Sequence, residues 1–214
     1  IDIINPRKDL FKYFIDYYKE EYNVDGTEEN MSNKINKDLD INIDMHELAQ
    51  RGKTPGNPNK SSELVNMVSL SMIIRCDAFS ILILGDSFPQ EIYLSLIERG
   101  YSKENKLQVD FIKMSHHGSA NNISNDLLDI IDCDKFIIST NGGKGYKHPH
   151  REAIANVLCH PERDYSRSVH FYFNYPLRII VNNREEDIFN KELDKELNFQ
   201  CYEPKEIDRF ILLP

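Results

Sequence analysis

Seven side chains carry the chemistry this sequence can offer: Asp86, His116, His117, Ser119, Lys147, His148 and His150. They fall in three phrases. The first is Gly85-Asp86-Ser87, the second Ser115-His116-His117-Gly118-Ser119, the third Lys147-His148-Pro149-His150. A carboxylate with imidazoles is a donor set for zinc or a similar divalent ion. A lone Gly-Asp after a strand is usually a turn, and a lone His-Pro says little. Adjacent histidines followed by Gly-Ser, directly after an apolar run, are less common.

The chemistry depends on how these phrases are positioned. Residues 81–84 are a continuous apolar run of the kind found in strands covered on both faces, and residues 109–114 and 136–138 are two further candidate strands. Residues 89–100 lie between the first two runs. Ile92, Leu94, Leu96 and Ile97 give that segment a helical stripe, with Pro89 suited to its start and Gly100 to its stop. Residues 123–131 predict a second short helix. Strand, crossover helix, strand makes the strands parallel and the crossovers right-handed. Their carboxyl ends then share one edge, where ligands of such sheets bind. Asp86 follows the first strand, His116 and His117 the second, and His148 and His150 hang on the glycine-rich loop after the third.

Taken together, these residues resemble the C-terminal half of a metallo-β-lactamase-fold hydrolase. The similarity is to the subgroup attached to bacterial competence DNA-uptake channel proteins, with related phosphodiesterases and phosphorylcholine esterases. It covers about residues 64–160 and rests on Gly85-Asp86, Ser115-His116-His117-Gly118-Ser119 and His148-Pro149. The resemblance implies an α/β fold, an αββα sandwich of which this chain supplies one half. It implies two divalent metals, zinc or alternatively manganese, bridged by Asp86, with His116 a terminal ligand on one of them. His117 matches a neighbour facing the substrate, a phosphate, and His148 a further position near it. Asn66 and Ser69 resemble a phrase that opens the hairpin before Gly85. The implied activity is hydrolysis of a phosphoester by a metal-activated hydroxide, as in a phosphodiesterase or nuclease, with Asp86 and His117 central to catalysis.

The sequence departs from that family in one large respect. No His-x-His-x-Asp-His motif lies upstream, and the only histidine before residue 116 is His46, in a polar stretch. A chain that begins at Ile1 and lacks the motif reads as part of a longer protein, as one chain of a split enzyme, or as a relative whose site has degenerated. The expected partners are therefore a phosphoester substrate, which nucleic acid would provide, and a companion chain or N-terminal segment that completes the fold. The contrasting reading is a non-catalytic half-domain that serves assembly.

Composition narrows the classes. With 40% hydrophobic residues, 11 Phe and 11 Tyr among 214 residues, a sizeable core can form. A net charge of −9 argues against a surface that coats nucleic acid. It leaves room for a local cation cluster, and Lys144, Lys147 and Arg151 around His148 fit one. Residues 141–145 hold three glycines whose amides could cradle an anion, without the Gly-Lys-Ser/Thr of a P-loop. Ser119 or Ser124 could donate to a phosphate oxygen, though Ser124 fits better as the N-cap of a helix starting at Asn125. Four dispersed cysteines indicate no disulfide framework, so the cytoplasm is the expected compartment. No run approaches the roughly 20 apolar residues of a membrane span.

Four segments are expected. Residues 1–22 form an amphipathic helix whose stripe of Leu10, Phe11, Phe14, Ile15, Tyr17 and Tyr18 packs on the sheet or a partner. Residues 23–63 are a polar, acidic linker or insertion. Residues 64–182 form the half-domain, with a hairpin of residues 67–75 and 78–84 and another of residues 168–175 and 177–182 around Tyr175-Pro176. Residues 183–214 are a charged appendage. His170 is read as a satisfied strand residue.

Overall fold

Strand β3 (Ser80–Ile83) and strand β5 (Phe111–Lys113) lie side by side and parallel, with Leu82 opposite Ile112. Leu82 and Ile112, opposite one another on one face, are almost wholly buried. The computed structural model describes residues 1–21, 41–51, 55–143, 145–192 and 194–205.

Around this pair the chain builds one seven-stranded mixed sheet. The other strands are β1 (Asp2–Asn5), β2 (Ser71–Arg75), β7 (Lys135–Ile138), β8 (Val169–Phe173) and β9 (Phe199–Tyr202), in the spatial order β1-β2-β3-β5-β7-β8-β9. The β1–β2 and β2–β3 pairs are antiparallel and every later pair is parallel. A separate two-stranded pair joins β4 (Leu107–Gln108) to β6 (Ile131–Asp132). The helices are α1 (Lys8–Glu21), α2 (Met45–Ala49), α3 (Ser61–Met67), α4 (Pro89–Glu98), α5 (Asn125–Asp129), α6 (Arg151–Leu158) and α7 (Leu177–Arg184). The protein is thus of the α/β class with a mostly parallel central sheet.

The local signals explain most boundaries. Pro89 stands in the first turn of α4, and Gly100 follows its C-cap at φ +86°, a left-handed turn open to glycine without strain. The Ser124 side chain caps α5 by accepting the Leu127 N–H at 3.3 Å. The turn at Cys76-Asp77 joins β2 to β3 as expected.

Four expectations give way. Residues 177–182 are not a strand but part of α7: Ile180 and Arg184, four residues apart, point the same way and are both fully buried. The Leu177 N–H that opens this helix donates to the Glu203 carboxylate. The partners of β8 are instead β7 and β9, so the stretch read as an appendage contains a strand of the main sheet. The N-terminal segment is more than a helix, since β1 precedes it and forms an edge of that sheet. Finally, the aromatic stripe of α1 is not core: Phe11, Tyr13 and Ile15 are exposed, and Leu10, Phe14, Tyr17 and Tyr18 are half-buried. Most of the linker, Lys144 and the apolar C-terminal end lie outside the described residues. Among the described residues no helix is long and apolar enough to cross a membrane.

Candidate functional site

Because β3, β5, β7 and β8 run parallel, their carboxyl ends share one edge, and each delivers a loop there. Asp86 sits in the first loop. Its N–H donates to Ser69 Oγ at 2.9 Å and its carbonyl accepts Asn122 Nδ2 at 3.1 Å. Asn122 also donates to the Ser87 carbonyl, as does Ser115 Oγ at 2.7 Å. Buried Asn5 donates to Ser87 Oγ at 3.1 Å as well as to the Met67 and Ser69 carbonyls, which fastens the end of β1 to the same loop. The Asp86 backbone is thus held on both sides, at its N–H by Ser69 and at its carbonyl by Asn122.

The second loop carries backbone strain. His116, His117 and Gly118 have φ of +45°, +58° and +83°, three successive residues in the left-handed region. Each non-glycine residue held there costs on the order of 1–3 kcal/mol, and such strain concentrates at functional sites. The surroundings enforce it: the His116 N–H donates to the Gly85 carbonyl at 2.9 Å, which seats His116 against the Asp86 loop. Gly118 has no alternative residue, since a Cβ there would lie 2.7 Å from Pro149 Cβ.

The third loop brings two more imidazoles. Ring centroids are 5.5 Å apart for His116 and His148, 6.3 Å for His117 and His148, and 4.6 Å for His148 and His150. Their hydrogen bonds sort the four histidines by role. His150 Nδ1 accepts the Ala120 N–H at 3.0 Å, so its proton is on Nε2, which donates to the Tyr146 carbonyl at 2.9 Å. Both nitrogens are spent on holding two loops together. His117 Nδ1 lies 2.5 Å from the Ser139 carbonyl, an acceptor only, so Nδ1 carries the proton and Nε2 keeps its lone pair. His148 is buried, and its Nδ1 has no hydrogen-bond partner.

Burial disfavours a proton on two of these rings, His116 and His148. Burial lowers the His116 pKa, with Asp86 opposing and Lys113 adding to the shift. Burial lowers Lys113 as well, again with Asp86 opposing. His148 is pushed down to about 2, by burial first and then by His150, His116 and His117. The unfolded chain takes up this proton near pH 6.5 and the folded chain does not. The stability that His148 contributes is complete above about pH 6.5 and is lost as the pH falls below it. Unfolding free energy should drop by about 2 kcal/mol between about pH 7 and 5 on this account. In a His148→Asn variant, thermal melts across the same range should show a shallower pH dependence by that amount.

Other anticipated residues are placed differently. Ser119 is buried, and its N–H donates to the His116 carbonyl. Lys147 is half-buried, with its carbonyl accepting Arg184 Nε at 2.9 Å. The expected cation cluster does not include Arg151: that side chain is 1% exposed and ion-paired with Asp194 at 3.2 Å, so no phosphate can reach it. Two of the amides expected to cradle an anion are engaged within the loop. Gly142 N–H donates to Thr140 Oγ1 and Gly143 N–H to Asn141 Oδ1. His46 lines a different cavity, with Gln50, Arg51 and Asn156, in which none of the clustered histidines takes part. His170 hydrogen-bonds Tyr202 at 3.1 Å, the satisfied strand residue expected.

The sequence reading missed what supports the third loop. Helix α7 backs it throughout: Asn183 Nδ2 donates to the Asn141 carbonyl, Arg184 to Lys147, and Gly142 lies so close to Ile180 that no Cβ would fit. Reading residues 177–182 as a strand concealed that role. Lys113, the last residue of β5, was also passed over, although its place just before Met114-Ser115 puts it at the same edge.

Among the described residues no group of three or more His, Cys, Asp or Glu side chains is placed to hold a metal ion. The described residues by themselves do not fit a metal pair; they offer Asp86 and the neighbouring ring of His116. The cysteines do not add to the set, since burial pushes Cys133, Cys159 and Cys201 each up to about 12. Compared with family models, characterised proteins and solved structures, the chain matches none.

Proposed function

We propose that the histidine-lined edge is one half of a metal-dependent phosphoester hydrolase site, of phosphodiesterase or nuclease type, in a fold akin to the metallo-β-lactamases. One observation carries this reading: parallel strands bring Asp86, an uncharged His116 and a His117 with a free Nε2 to the same rim. Asp86 and His116 would hold a divalent metal, zinc or manganese, together with donors from a companion chain or segment, and that metal would supply an ionised water and polarise the phosphoryl oxygen. His117 is the proton carrier. Its Nδ1–H stays on Ser139, which aims Nε2 outward to accept a proton and later deliver it to the leaving oxygen. His148, neutral and buried behind it, excludes water and adds no competing charge.

A second reading is favoured by two observations: the lack of a three-donor group among the described residues, and the exposed Phe11, Tyr13 and Ile15 of α1. In it, the domain serves assembly and the site is vestigial. Elemental analysis of the protein purified with its natural partners separates the two. The hydrolase reading expects about two metal equivalents, lost in an Asp86→Ala, His116→Ala double variant. Absence of metal from the unsubstituted complex would sink it.

A further inference from the structure

Beside the histidines, and not lined by Asp86, the third loop leaves a cavity of about 310 Å³. Its side-chain lining is His117, Tyr146, His148, Asn141, Asn174 and Tyr175, over backbone from the loop after β7. Among the described residues that line it there are rings and amides and no Lys, Arg, Asp or Glu. The volume is at the lower end of small-molecule sites, which run from about 300 to 1,000 Å³. It has room for one ring system with a sugar, and not for a base pair.

The rings are arranged for stacking. Tyr146 is 65% exposed, yet it is held within 3° of parallel to the His148 ring at a centroid distance of 6.0 Å. Its backbone is anchored by His150, so the ring is presented from a fixed point. The amides are oriented too. Asn174 Oδ1 accepts the Thr140 N–H at 2.8 Å and Asn141 Oδ1 accepts the Gly143 N–H at 3.0 Å. With both oxygens engaged inside the loop, each side chain has its NH₂ left to offer. The complementary ligand is flat, uncharged and edged with acceptor atoms.

We infer that this cavity holds the nucleobase of a nucleotide whose phosphate lies at His117, so that the substrate is a mononucleotide ester or a single strand with its base turned into the loop. The inference rests on the hydrolase reading for the phosphate and on the cavity alone for the base. Stacking of a base on an exposed aromatic ring is a sequence-tolerant contribution to holding single-stranded nucleic acid.

The test is calorimetric titration with four probes: uridine monophosphate, ribose 5-phosphate, uridine and inorganic phosphate. Uridine monophosphate should bind about ten-fold more tightly than ribose 5-phosphate. Tyr146→Ala, at an exposed position, should remove that difference and abolish uridine binding without shifting the melting temperature. Equal affinity for the two phosphates, or an unchanged preference in Tyr146→Ala, overturns the base-binding role. The two readings fail separately. Uridine bound through Tyr146 with no gain from the phosphate, and no effect of His117→Gln, supports the cavity and removes the hydrolase. Ribose 5-phosphate lost in His117→Gln with no contribution from the base does the reverse.

Discussion

His117→Gln should lower turnover of a phosphodiester by about 10²–10⁴-fold while leaving the melting temperature nearly unchanged, the range expected for loss of a positioned proton carrier. The side chain is exposed and makes one hydrogen bond, to Ser139, which a glutamine NH₂ can replace. What glutamine cannot replace is a ring nitrogen with a lone pair that can accept a proton and hand it on. A substrate with a very good leaving group should therefore recover part of the rate. The measurement is steady-state hydrolysis of a chromogenic diester by the partner-completed protein. A variant within about three-fold of the unsubstituted enzyme would remove His117 from the chemistry.

Arg151→Ala should destabilise the fold by about 3–5 kcal/mol, because it strands a buried carboxylate. Arg151 and Asp194 are 1% and 2% exposed, and their ion pair spans 3.2 Å. The guanidinium also donates to the Ile43 and Ile188 carbonyls, each at 3.0 Å. One side chain thus joins the start of α6 to two distant segments, and removing it leaves the buried Asp194 carboxylate to the Asn190 N–H, which donates to it at 2.7 Å. Urea unfolding would show the loss as a lower midpoint. Replacing both partners, Arg151→Met with Asp194→Leu, should restore much of it, since an apolar pair leaves no uncompensated charge. A single variant within about 1 kcal/mol of the unsubstituted protein would mean that water reaches Asp194 and that the pair is not a buried one.

The parts of this structure that were legible in the sequence are those where one signal stood alone. Residues 81–84 are apolar without a break, residues 109–114 place Phe111 and Ile112 side by side, and they are the β3 and β5 pair at the centre of the sheet. Ser124 ahead of a short helix, and Pro89 and Gly100 around a longer one, were readable because capping chemistry is local. Residues 177–182 misled because Ile179, Ile180 and Val181 favour strands by propensity, whereas burial of Ile180 and Arg184 on one face and the Glu203 carboxylate at the helix start decide the matter from a distance. β1 and β9 are four residues each, too short for a period, and exist because a neighbour offers them an edge. At the site, the proximity of Asp86, His116, His117 and His148 could be argued from strand order. The division of labour among the histidines could not, since it depends on which carbonyl or amide each ring meets. Arg151 looked like a surface cation because its partner lies 43 positions away.

His150 stitches the amide of Ala120 to the carbonyl of Tyr146, and the strained turn at His116 is fixed to Gly85 in the same way. A ligand arriving here meets a cleft already shaped rather than a flap that must swing shut. Capture would then be governed by diffusion and orientation, with little entropy left to surrender, and the slow step of a reaction cycle would have to be sought in bond breaking or in departure of the product.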